Sequence, residues 1–139
     1  MSSAVGTKHD LIARFEAAAR SAAATVERLP ATAGALASAV ERTAKGRIAI
    51  AEPLDLPAEL FADLYRLPGI VTARSKSELA ACDLGITDAF ASVARTGSVC
   101  VTVDHGYSGA ISLLARMHIA VVAADTIVER PAEIFDANR

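Results

Sequence analysis

The sequence predicts an α/β protein, a mostly parallel sheet preceded by an N-terminal helical segment. Three observations carry that prediction. From about residue 47 onward, short apolar runs alternate with amphipathic stretches bounded by Gly and Pro, the pattern of strands joined by right-handed helical crossovers. Before that point apolar residues recur at helical spacing in an alanine-rich stretch, and thirty-one of the 139 residues are alanine. The chain is 53% hydrophobic and 22% charged, which suits a single globular domain and excludes a disordered one. That domain is predicted to span 1–139, with helices in 1–46 and the α/β core in 47–139, and no linker divides it.

The elements follow in order. Leu11, Phe15, Ala18, Ala22, Val26 and Leu29 lie on one helical face, and Pro30 closes the segment. A second helix starts near Thr32, carries Leu36 and Val40 inward and stops at Gly46. Ile48–Ala51 reads as a buried strand that enters a loop at Glu52-Pro53. Asp55-Leu56-Pro57 resembles an N-cap with proline in the first turn, opening a helix through Leu60, Phe61, Leu64 and Tyr65. Ile70–Thr72 is the next strand, and Ser75-Lys76-Ser77-Glu78 has capping-box spacing for a short helix. Asp83–Thr87 and Ser98–Val103 are further strands, the second being the clearest in the chain. Ser108–Arg116 reads as a helix, His118–Val122 as a buried strand, and Pro131 starts the last helix.

Composition excludes several functions. Fourteen Lys+Arg against sixteen Asp+Glu give a formal charge of −2, so no electrostatic case exists for nucleic acid or an anionic membrane. Aromatics are 4% with no Trp, too few for stacking platforms. No apolar run reaches the ~20 residues of a membrane span. The first residues lack the basic and apolar regions of a secretory signal, so a cytoplasmic location is expected. Cys82 and Cys100 form no CxxC, so ligands for zinc or an iron–sulfur cluster are missing and no cofactor is expected. Cys100 alternates inward on its strand and is expected to be buried; Cys82, near a helix end, is expected to be partly exposed. The wide alanine face of the first helix and the scarcity of large side chains favour burial of more surface in a homodimer.

Chemistry in a parallel sheet belongs beyond the carboxyl ends of its strands. Two stretches suit that place: Ala94-Arg95-Thr96-Gly97-Ser98 before the clearest strand, and Asp104-His105-Gly106-Tyr107-Ser108-Gly109 after it. Gly106, Ser108 and Gly109 would uncover backbone N–H groups at a helix start, an anion site. Thr96 and Ser98 add hydroxyls, and Arg95 adds a cation for bidentate capture of a carboxylate. The strands 98–103 and 118–122, read as a parallel pair, would bracket the cleft. Asp104 beside His105 would raise that histidine's pKa. Each residue also has a plainer role. Gly/Ser loops are most often tight turns, loop histidines such as His105 are most often solvated, and a histidine opening an apolar strand, as His118 does, most often bonds to the backbone.

Four stretches, taken together, resemble a family. Gly85-Ile86-Thr87-Asp88-Ala89, Ala94-Arg95-Thr96-Gly97-Ser98-Val99, Ser112-Leu113-Leu114 and His118-Ile119-Ala120-Val121-Val122 are similar in order and spacing to the LUD domain of the lactate-utilisation protein C family. The resemblance covers roughly residues 83–128. It implies a Rossmann-like three-layer α/β/α fold of the NagB/RpiA/CoA-transferase superfamily. It further implies a link to L-lactate or other organic-acid metabolism, through a small anionic metabolite or iron–sulfur partner proteins. Fold membership supplies no chemistry by itself.

The departures bear on activity. Arg95 stands where the family has an acidic residue, Gly109 where an arginine is usual, and Ala115 and Arg116 where two prolines precede the histidine. Thr96, Gly97, Ser98 and His118 fit the pattern. Either one cation has moved across the site, or the chain is a non-catalytic assembly subunit with a drifted pocket. Sugar-phosphate isomerisation, known in other branches of the superfamily, would need a base and a phosphate clamp that no residues here supply.

Overall fold

The computed structural model describes residues 8–43, 46–71, 75–102 and 116–137, with backbone alone at 8, 9, 76 and 135–137. The chain forms two compact units that interleave along the sequence: Met1–Glu27, Ala89–Cys100 and Val122–Arg139 in the first, Arg28–Asp88 and Val101–Val121 in the second.

The second unit holds the parallel sheet. Its strands are β1 (Ile48–Ile50), β2 (Leu84–Asp88) and, late in the chain, Met117–Val121, in the order β1, β2, Met117–Val121 and all parallel. Alternation divides the sheet into two unlike faces. Ile48, Leu84 and Ile86 point to one side, where they pack with Leu36, Ala37 and Val40 of helix α2 (Ala33–Thr43) and with Phe61 and Leu64 of a 3₁₀ helix (Ala58–Arg66). Phe61, Leu64, Ile48, Leu84 and Ile86 are each at most 2% exposed. Each contributes about 1.5–3 kcal/mol over an exposed placement. Ala49 and Ala51 point to the opposite side and pack with Leu79 and Cys82, at and just beyond helix α3 (Lys76–Ala80). Helix, sheet and helix make three layers, as expected. Thr32 and Ser75 cap α2 and α3, accepting from Ala35 N–H at 3.1 Å and Glu78 N–H at 3.2 Å.

Three expectations change within this unit. Asp55 is not a helix cap: the 3₁₀ helix opens at Pro57 with no side-chain cap bond. The strand predicted at 70–72 contracts to one parallel bridge between Ile48 and Ile70, and residue 72 lies outside the described residues. The two cysteines exchange roles. Cys82 is 1% exposed, because the end of α3 presses it onto the alanine face, whereas Cys100 is only half-buried.

The first unit contains a second, mixed sheet that the sequence did not announce. Strands β3 (Ala91–Val93) and β4 (Ser98–Cys100) are antiparallel, and β3 pairs parallel with the two-residue strand Ile127–Val128. In chain order Met117–Val121 is therefore β5 and Ile127–Val128 is β6, with a short 3₁₀ turn at Ala124–Thr126 between them. Phe15 and Ala19 of helix α1 (Lys8–Ser21) cover one side of this sheet with Ala94 and Ile127, and Ile134 of helix α4 (Ala132–Ala137) packs with Ala91 and Val93. The expected parallel pairing of 98–103 with 118–122 is thus corrected: β4 and β5 belong to different sheets. Gly97, at φ +75°, closes a tight turn in which its N–H donates to Val93 carbonyl oxygen at 2.8 Å, so the apolar run at 90–93 pairs back on β4.

Helix α1 also ends earlier than its apolar face predicts. Ala23 adopts φ +72°, and Ala24 and Ala23 N–H donate to the Ala19 and Arg20 carbonyls, both at 3.0 Å. This is a Schellman termination with alanine where glycine is usual. Val26 then folds back onto the Phe15–Ala19 cluster.

Candidate functional site

The polar groups of the parallel sheet lie at the carboxyl half of β2. Thr87 and Asp88 are adjacent in sequence and so point to opposite faces. Thr87, 1% exposed, shares the small-residue face with Ala49, Ala51 and Gly85, and its Oγ1 lies 2.6 Å from His118 Nε2. His118 sits opposite Gly85 in the β2–β5 register, and Thr87 sits opposite Ala120. Glycine at that position leaves the imidazole room to lean toward Thr87. The His118 side chain is exposed overall, yet its Nε2 edge rests against buried Thr87, and this loss of hydration holds its pKa below the usual histidine value. His118 is therefore a neutral imidazole at physiological pH.

Asp88 is 3% exposed and ends β2. Its Oδ2 accepts three consecutive backbone N–H groups, from Leu54 at 3.1 Å, Asp55 at 2.7 Å and Leu56 at 2.9 Å. A buried charge is tolerated because the loop leaving β1 solvates it. The carboxylate of Asp55 in turn accepts from Thr102 Oγ1 at 2.9 Å. Asp88 and Asp55 thereby tie the exit loop of β1 to the end of β2 and to the segment after β4. In the sequence Asp55 reads as a helix cap and Asp88 as the residue following a strand, so neither loop-holding role is apparent there. A lone carboxylate ending an otherwise apolar strand was the available signal.

The other predicted residues fall elsewhere. Arg95 and Thr96 are exposed in the turn of the β3–β4 hairpin and Ser98 is exposed at the start of β4, all in the first unit, whereas His118 belongs to the second. Arg95 N–H donates to Glu129 carbonyl oxygen at 3.1 Å. Thr96 Oγ1 donates to Ser98 Oγ at 2.7 Å and accepts from Ser98 N–H at 3.3 Å, so the two hydroxyls serve the turn itself. A Cβ on Gly97 would lie 2.5 Å from the backbone nitrogen of Ala19, so this glycine seats the turn against α1. Glu129 is held by Arg14 at 2.8 Å, and that hydrogen bond pulls its carboxyl below the usual glutamate range. Asp104, His105, Gly106, Ser108 and Gly109 lie outside the described residues, as do Ser112–Leu114 of the resemblance. Among the described residues no cluster of His, Cys, Asp and Glu could hold a metal ion, and no helix is long and apolar enough to cross a membrane.

A parallel three-layer sheet unit, with buried Thr87 meeting exposed His118 on its small-residue face, places the chain among α/β proteins of Rossmann-like architecture. The family is specific: the LUD domain model matches residues 7–139, and the chain belongs to the LUD domain family. Its fold is similar to the crystal structure of a DUF162 family protein from Deinococcus radiodurans, with a TM-score of 0.71 and 24% identity over 96% of this chain and 80% of that one. No curated protein matches the sequence significantly.

Proposed function

We propose that this LUD-domain protein serves L-lactate or related organic-acid metabolism by binding a small carboxylate, and that His118 is the group that meets it. The observation that supports this reading is the Thr87–His118 pair, a neutral and solvent-reachable imidazole fixed to a buried hydroxyl at 2.6 Å. A neutral imidazole offers a carboxylate an N–H donor. The same reading expects a cytoplasmic homodimer without a cofactor of its own, acting beside the iron–sulfur partner proteins that the family resemblance implies. Nucleic acid and membrane have no part in it.

The test is calorimetric titration of the parent and His118→Ala with L-lactate, pyruvate, inorganic phosphate and the uncharged analogue lactamide. The expected result is carboxylate binding weakened about tenfold or more in His118→Ala, the scale of a hydrogen bond to a charged group. Equal affinity in both proteins overturns the reading. A second reading, an assembly subunit with a drifted pocket, draws support from the exposed Arg95, Thr96 and Ser98 at the hairpin turn. Under that reading Arg95→Ala weakens a partner subunit rather than a metabolite.

A further inference from the structure

We infer that Thr87 locks His118 into its Nδ1–H tautomer, so that the site presents a neutral hydrogen-bond donor and selects ligands by an acceptor oxygen, a carboxylate or an adjacent keto group. The choice of ligand class rests on the reading proposed above; the tautomer does not.

The argument is one of hydrogen-bond satisfaction. A threonine hydroxyl carries one proton to donate and two lone pairs. Thr87 is 1% exposed in the central strand of the sheet, and its hydrogen bond among the described residues is the 2.6 Å contact with His118 Nε2. If Nε2 carried the hydrogen and Thr87 accepted it, the hydroxyl proton would be buried without an acceptor. A missing acceptor costs far more than an unused lone pair. The hydroxyl therefore donates to Nε2, and the ring's single hydrogen resides on Nδ1.

The surroundings fix this geometry. Gly85 opposite His118 and Ala120 opposite Thr87 bring no polar side chain to that face, and Ala49, Ala51, Leu79 and Cys82 add no hydroxyl or charge among the described residues. Protonating Nε2 would require the Thr87 hydroxyl to turn away from the ring, which acts in the same direction as the desolvation that already disfavours the imidazolium. Thr87 is a positioning residue: buried, out of a ligand's reach, and acting through the imidazole. A site with a fixed N–H donor and no accessible base binds an oxygen acceptor but does not by itself abstract a proton. It favours a carboxylate or keto oxygen over a hydroxyl oxygen, the weaker acceptor.

The experiment is a long-range proton–nitrogen correlation spectrum of the histidine rings in the full chain, with His118 assigned by its loss in His118→Ala. The parent is expected to show the Nδ1–H form. Thr87→Val removes the donor, and His118 should revert to the Nε2–H form that free imidazoles favour. Thr87→Ser should restore Nδ1–H. An Nε2–H or doubly protonated His118 in the parent at neutral pH overturns the inference, and this holds even if Thr87→Val fails to fold. Titration with pyruvate forms a second arm. Thr87→Val should weaken binding about tenfold while Thr87→Ser stays within about twofold. An Nδ1–H ring that binds neither lactate nor pyruvate sinks the functional reading and leaves the tautomer assignment standing.

Discussion

Replacing Asp88 by alanine tests whether the exit loop of β1 is held by a single carboxylate. Three N–H groups converge on Oδ2, at 3.1, 2.7 and 2.9 Å. Hydrogen bonds to a charged group contribute about 1.5–3 kcal/mol each, so the gross loss for three is about 4.5–9 kcal/mol. Two effects offset it. Leu54 and Asp55 are exposed, so water recovers their N–H groups, and the variant no longer buries a carboxylate. A net loss of about 2–3 kcal/mol remains, equivalent to roughly 6–10 °C in melting temperature for a chain of this size. Asp88→Asn keeps one neutral acceptor and should recover about half. Urea unfolding gives the free energy, and amide hydrogen exchange locates it. Leu54, Asp55 and Leu56 should exchange faster, whereas Ala51, whose N–H donates to Ile86 carbonyl oxygen at 2.9 Å, stays protected. A stability loss below about 0.5 kcal/mol, or unchanged protection at 54–56, would refute the account.

Three further outcomes follow from the first unit. Gly97→Ala combines a positive φ with a Cβ driven into the backbone of α1, so urea unfolding should show a loss of about 2–4 kcal/mol. Ala23→Gly should instead raise stability by about 0.5–1 kcal/mol, since it removes left-handed strain at +72° and gives back only backbone entropy. Glu129 has a folded pKa below its unfolded one, chiefly through the Arg14 hydrogen bond. Its contribution is present above the unfolded value and is lost as pH falls through the folded one. Arg14→Ala should therefore lower stability at neutral and alkaline pH, and the deficit should vanish as pH falls through the folded value, as urea midpoints across pH will show.

The sequence announced the parallel unit because its signals are local. Ile48–Ile50, Leu84–Asp88 and Met117–Val121 are short apolar runs, and Thr32 and Ser75 are polar starts of helical stretches. The mixed sheet stayed hidden for equally physical reasons. Ala91–Val93 is three residues long and Ile127–Val128 two, below the length at which period-two patterning can be read. The decisive feature, Gly97 in the left-handed region, looks in sequence like any flexible loop glycine. Helix α1 misled for the converse reason. Ala22 and Val26 continue its periodicity, yet alanine at the left-handed position 23 reverses the chain, and no residue type signals that. Of the site, His118 was legible as a polar residue opening an apolar strand. Its partner was not, because Thr87 meets it only through the β2–β5 register, which pairs Gly85 with His118 and so sets Thr87 two residues along.

The two faces of the parallel sheet explain how a chain so rich in alanine carries both a core and a site. Ile48, Leu84 and Ile86, with Phe61 and Leu64 above them, concentrate the large side chains on one side, where each is nearly inaccessible. The other side holds Ala49, Ala51, Gly85, Thr87, His118 and Ala120 and buries little area per residue. The large side chains are thus buried on one face, while the opposite face packs Ala49 and Ala51 with Leu79 and Cys82 and also holds a hydroxyl and an imidazole at 2.6 Å. Asp88 applies the same division at the end of the strand. It follows Thr87 directly, points the other way, and uses its charge to fix a loop instead of facing a ligand. A carboxylate on Thr87's side would repel an anion and would draw the His118 ring into its charged form. On its own side it does neither, so the parity of β2 separates the group that holds the loop from the Thr87–His118 pair.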